Sequence, residues 1–148
     1  MTAFPPVAEL VPHEAPMCLI DEVLDAGDTH IVCGYTPLPG APFAQPDGIE
    51  AVVALEYMAQ TIAAFAGLEG RAQGEPPKIG YLLGCRQLTL HRARLALGVP
   101  LRIEVRRVFG DAALGNFACV VHDAQGPVAE AQLSVAQPGP GMALPGDA

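Results

Sequence analysis

The chain has 148 residues, of which 51% are apolar types and 16% are charged, and its net charge at pH 7 is −8. That length predicts one domain spanning 1–148, and the apolar content is enough to build a core. Long disorder is excluded, because disordered chains are poor in apolar residues. An acidic chain is also a poor nucleic-acid binder, since the phosphate backbone attracts a large positive field.

The N-terminus has no basic stretch followed by an apolar one, so no secretory signal is expected. Cys18, Cys33, Cys85 and Cys119 form no C-x-x-C pair, which leaves no structural zinc or other metal site to expect. Each lies in an apolar or strand-like stretch and reads as a buried free thiol in a reducing, cytoplasmic setting.

Residues 1–17 are Pro-rich and irregular, with 1–9 read as a loose end. Residues 18–26 and 29–37 read as strands, separated by the turn signal Gly27-Asp28. Residues 38–48 hold three prolines and two glycines and read as a loop. Asp47 or Gly48 is then placed to cap a helix over about 49–68 that ends near Gly67 or Gly70. On the wheel Glu50, Glu56, Tyr57, Gln60 and Thr61 share an arc of about 140°, and the rest is apolar. This run has the length of a membrane span, but its carboxylates and the lack of flanking basic residues favour a helix buried in protein. Its alanines allow another backbone to approach closely. After a polar loop at 69–77, strand signals follow at 78–90, 99–109, 114–123 and 127–137. In the second of these Leu101, Ile103 and Val105 alternate with Arg102, Glu104 and Arg106. Asp123 to Gly126 forms a hairpin turn, and 138–148 reads as a loose tail.

Two strands, one buried helix and four strands predict an α+β domain with an antiparallel sheet curled around the helix. One helix cannot fill both faces of such a sheet, so a dimer is expected. All eight basic residues fall between Arg71 and Arg107, against only Glu75 and Glu104, a net of +6 for that stretch. Two readings are open: a docking surface for an acidic partner, or strand faces paired with the acidic first half.

Four motifs, in order, resemble the hot-dog-fold 3-hydroxyacyl-[acyl-carrier-protein] dehydratases. They are Val11-Pro12-His13-x-x-Pro16-Met17-x-Leu19-Ile20-Asp21, the helix run Leu55-Glu56-Tyr57-Met58-Ala59-Gln60, the turn at Gly98 to Leu101, and the closing Gly126-Pro127-Val128-Ala129-Glu130-Ala131. The runs Gly74 to Gly80 and Leu82 to Arg86 are similar to the dehydratase-like subunit of aryl polyene biosynthesis clusters. The resemblance covers about residues 10–138 and implies a hot-dog fold.

It also implies a chemistry. Dehydrating a 3-hydroxyacyl thioester requires a base at C2, an acid for the leaving 3-hydroxyl and a donor to the thioester oxygen. Glu56 matches the family's helix carboxylate, and mid-helix apolar surroundings favour the neutral acid. Gln60, one turn on, is placed to orient it. The family's G-H-F-P loop has no counterpart histidine here: Pro39 to Gly48 carries none. His13 becomes the candidate base, while His30, His91 and His122 read as surface or core residues. Gly48 at the helix start, together with Met58, Phe65 and Tyr81 along an apolar tunnel, completes the expected substrate-binding set. The implied substrate travels on the phosphopantetheine of an acyl carrier protein, with no other cofactor. Three activities stay open: the dehydratase itself, a non-catalytic subunit paired in a homodimer or heterodimer with another hot-dog chain, and an acyl thioesterase.

Overall fold

Alternating apolar and polar residues become two-faced strands when one face is covered. The computed structural model describes residues 4–76, 80–111 and 113–137. Its strands are β1 (Glu22–Ala26), β2 (His30–Tyr35), β3 (Ile49–Glu50), β4 (Tyr81–Leu90), β5 (Arg94–Leu95), β6 (Leu101–Gly110), β7 (Leu114–Asp123) and β8 (Gly126–Ala136). Among the described residues one α-helix, α1 (Ala54–Ala72), follows a 3₁₀ turn at Ala51–Val53. Six strands form an antiparallel sheet in the order β1-β2-β6-β7-β8-β4. The sheet wraps α1, as the sequence pattern predicts for α+β. Leu101, Ile103 and Val105 point to the core, while Arg102, Glu104 and Arg106 face outward.

Several boundaries differ from expectation. Ile49 and Glu50 are not helical; they pair with Leu95 and Arg94 in a small ladder that the sequence pattern does not reveal. Two residues are too short a run to show periodicity, and the pairing is fixed by burial of Ile49 against Leu95. The helix does not stop at Gly67 or Gly70. It closes in a Schellman motif, with Glu75 N–H donating to Gly70 O at 2.8 Å, Gly74 N–H to Arg71 O at 3.1 Å, and Gly74 at φ +75°. Gly67 instead lets the backbone of Leu10 lie directly against the helix. That contact anchors the N-terminal segment, so residues 5–9 are not loose: Val7 and Leu10 are buried in the core. The tail at 138–148 lies outside the described residues.

Burial divides the cysteines. Cys33 and Cys119 lie in the core, where desolvation pushes both thiols up to about 12. Cys85 is exposed, contrary to the sequence reading, because the whole of β4 is exposed. Its ten residues include Tyr81, Leu82, Leu83, Leu88 and Leu90, and it forms one edge of the sheet. The long apolar helix is itself mostly covered by the sheet and the N-terminal segment.

The two helix glycines give opposite expectations. A Cβ at position 67 would collide with the Leu10 carbonyl, whereas at position 70 it would meet only ordinary contacts with Glu75. Gly67→Ala should therefore destabilise the fold by about 1–3 kcal/mol. Gly70→Ala should be neutral or stabilising by up to about 1 kcal/mol through helix propensity. Urea denaturation of the two variants checks both signs.

Candidate active site

Gln60 is fully buried on α1, and all its polar capacity is directed at one corner of the molecule. Its Oε1 accepts the Leu19 N–H at 2.6 Å. Its Nε2 donates to Met17 O at 2.8 Å and to Glu56 Oε1 at 2.9 Å. A buried amide left unpaired would cost about 1–3 kcal/mol, so these bonds pin the segment after His13 against the helix. His13 thereby arrives with its Nε2 3.8 Å from Glu56 Oε1. The structure thus brings together three residues singled out from the sequence: His13, Glu56 and Gln60.

The setting of Glu56 differs from the expected one. It stands in the first turn of α1, not mid-helix, and its side chain is 42% exposed. His13 is 31% exposed, and its Nδ1 is buried without a hydrogen-bond partner. Both residues line a cavity of about 410 Å³. Ala59, Ala63 and Ala66 carry the cavity along α1 from Glu56. These positions lie on one face at helical spacing. The alanines therefore leave open the space that the cavity occupies, and the close backbone approach on this helix is at Gly67. Pro12, Ile62, Leu82, Phe117 and Val135 supply further apolar wall, and Arg107 and Asp111 add charge to the lining.

Four expected binding residues are placed elsewhere. Met58 is fully buried in the core, roughly 120° round the helix from the cavity row at 100° per residue. Phe65, about 140° round, is also core; it packs edge-to-face on Phe117 at 6.5 Å and beneath the Arg107 guanidinium, and those two residues line the cavity in its place. Tyr81 is 43% exposed on the opposite face of its strand from Gly80 and Leu82, which do line the cavity. Gly48 has φ +116°, its N–H is spent on Gln45 O, and its missing Cβ makes room for Leu95. It shapes the entry to the helix and is not a free donor. The wall residues of the sheet and Arg107 carry no local motif, so only the alanine row could have been read from the sequence.

Of the basic stretch, Lys78 lies outside the described residues, Arg102 is exposed on β6, and the other six fall into two groups. Arg71 pairs with Glu9, Arg92 with Asp123, Arg94 with Asp47 and Arg107 with Glu69. Arg86 and Arg106 stand on one register row across the outer face, joined through Gln132 and Ala118. His30, His91 and His122 each lie beside a surface carboxylate, namely Asp25, Glu130 and Glu104.

A family model described as ApeP-like, ApeP dehydratase, matches residues 5–144. Among solved structures, the dehydratase heterocomplex ApeI:P from Xenorhabdus doucetiae superposes with a TM-score of 0.87 at 27% identity, covering 93% of each chain. The PaaI protein of the E. coli phenylacetic acid degradation operon has a TM-score of 0.60 at 12% identity, over 78% of this chain and 82% of that one. A hypothetical thioesterase with coenzyme A from Streptococcus pneumoniae has a TM-score of 0.57 at 16% identity, over 80% and 88%. The last two likenesses concern the fold alone. No curated protein matches the chain. A hot-dog fold, a helix carboxylate held at the mouth of an apolar cavity and a family match over nearly the whole sequence agree, and the chain belongs to the ApeP-like dehydratase family.

Proposed function

We propose that the protein dehydrates a 3-hydroxyacyl thioester, carried on the phosphopantetheine of an acyl carrier protein, to the trans-2-enoyl thioester. The observation that carries this reading is the 3.8 Å approach of His13 Nε2 to Glu56 Oε1 at an apolar cavity. Dehydration by this pair requires one proton on the carboxyl and a neutral imidazole. His13 takes the C2 proton, and the C2–H electron pair becomes the C2=C3 double bond. The C3–O bond breaks as Glu56 gives its proton to the leaving hydroxyl, which departs as water. The proton on His13 then returns to Glu56 and resets the site. Gln60 holds the Glu56 carboxyl in place throughout. Aryl polyene or related fatty-acid-type assembly in the cytoplasm is the setting that the sequence resemblance favours. The outward row of Arg86 and Arg106 suits an acidic carrier protein.

The test is incubation with a short 3-hydroxyacyl carrier-protein thioester, with both products followed by mass. The enoyl thioester is expected, and removing one proton-transfer group in Glu56→Gln or His13→Ala should cut its rate about 10²–10⁴-fold. Free acid in place of enoyl product would move the protein to the thioesterases.

A second reading is favoured by two observations: the loop at 38–48 has no histidine, and β4 presents an unpaired, apolar strand edge. Such an edge is a template for another strand. In this reading a second hot-dog subunit, one that carries the loop histidine, pairs along β4 and closes the cavity beside Leu82. The relative from Xenorhabdus doucetiae is itself a heterocomplex. Cys85 reports on it directly. The thiol should react with an alkylating reagent in the isolated chain and become protected when a histidine-bearing hot-dog subunit of the same gene cluster is added. Activity that appears only in that mixture and survives Glu56→Gln would make this chain the supporting subunit.

A further inference from the structure

The cavity runs along Ala59, Ala63 and Ala66 of α1, and Arg107 and Asp111 are among its lining residues. Going from Ile62 to Ala66 to Glu69, the helix face changes from apolar and small to charged within two turns. Glu69 does not project freely. Both its oxygens accept from Arg107, at 2.8 and 2.7 Å, in a bidentate pair. The guanidinium is clamped from the other side by two rings, with its carbon 4.8 Å from the centre of Phe65 and 5.5 Å from that of Phe117. Only 12% of the Arg107 side chain is exposed, and its Nε is buried with no acceptor.

Arg107, held by Glu69 and two rings, thus places a charge in the wall of a largely apolar space. An apolar tail that reached it would strip the remaining water from a guanidinium whose Nε–H already lacks a partner, and would supply no acceptor in return. The ion pair is too well held to swing away, since separating it would leave two uncompensated charges partly buried. From Glu56 to Ala66 the row spans about 15 Å at 1.5 Å per residue.

We propose that the Arg107–Glu69 ion pair is the end-stop of the cavity and sets the longest apolar chain that the protein accepts. The proposal rests on the reading of the cavity as an acyl site and assigns Arg107 and Glu69 as specificity-determining residues without a part in proton transfer.

The experiment is calorimetric binding of a homologous series of saturated acyl-pantetheine thioesters to the full chain, with its partner subunit present if one is required. For the unmodified protein, affinity should rise about fourfold with each buried methylene and break off sharply once the chain reaches the pair. In Glu69→Ala/Arg107→Ala the break should move to longer chains by several methylenes. If that variant does not fold, Glu69→Gln/Arg107→Met keeps the bulk and removes the charges, and the sharp loss beyond the break should give way to a plateau. A break at the same length and of the same sharpness in the folded variants would overturn the end-stop alone. Failure of every chain length to bind any form would overturn the acyl reading, and the end-stop with it.

Discussion

The carboxamide of Gln60 holds the candidate site together. It is the point where the helix, the N-terminal segment and the Glu56 carboxyl meet, and all three bonds are made inside the protein. A buried amide is tolerated only when its donors and acceptor are satisfied, so this one residue dictates where Met17 and Leu19 lie. The position of His13 follows from that, helped by the second anchor at Gly67, where Leu10 rests on the bare helix backbone. Neither anchor touches the cavity, yet together they decide that a histidine and a carboxylate face each other at its mouth. This is the usual relation of a positioning group to the groups it serves.

The cavity itself is a property of missing side chains. Ala59, Ala63 and Ala66 are large enough to keep the helix regular and too small to fill the space between it and the sheet. Just round the helix, Tyr57, Met58 and Phe65 are large and buried to within a few per cent. The helix therefore packs tightly against the sheet on one side and leaves a channel on another, with charge at both ends of the small-residue row. Glu56 and His13 mark one end and Glu69 with Arg107 the other. Polar groups at the limits of an apolar space fix how a ligand lies in it, which is the arrangement expected of a small-molecule site.

The exposed edge strand gives the molecule a second unsatisfied surface. Ten exposed residues in β4, half of them large and apolar, are an aggregation hazard for a chain that acts alone. Because Leu82 of that strand also lines the cavity, whatever covers the edge also alters the site. The edge of the sheet and the cavity are therefore linked through one strand.

Much of this was legible in the residues. Period-two alternation at Leu101, Ile103 and Val105 marks a strand, and Asp123 to Gly126 marks its neighbouring hairpin, because both signals are local. Glu56, Gln60 and His13 stood out because two lie one turn apart on a single helix and the third sits in a recognisable motif. What the sequence could not show depends on contacts between distant segments. The β3–β5 ladder joins residues more than 40 positions apart and has no period of its own. Gly67 looks like a helix stop in one dimension and is a packing surface in three. Met58, Phe65 and Tyr81 are apolar and near the right motif, but the packed side of α1 takes the first two and the outward face of β4 takes the third. Arg107 looked like one more charge in a basic stretch, and only the folded sheet set it over Glu69 and two rings. The sequence by itself determined the elements and the chemical types available. Tertiary structure decided which of them share a cavity, because that choice is made by side-chain volume and by pairing across the chain.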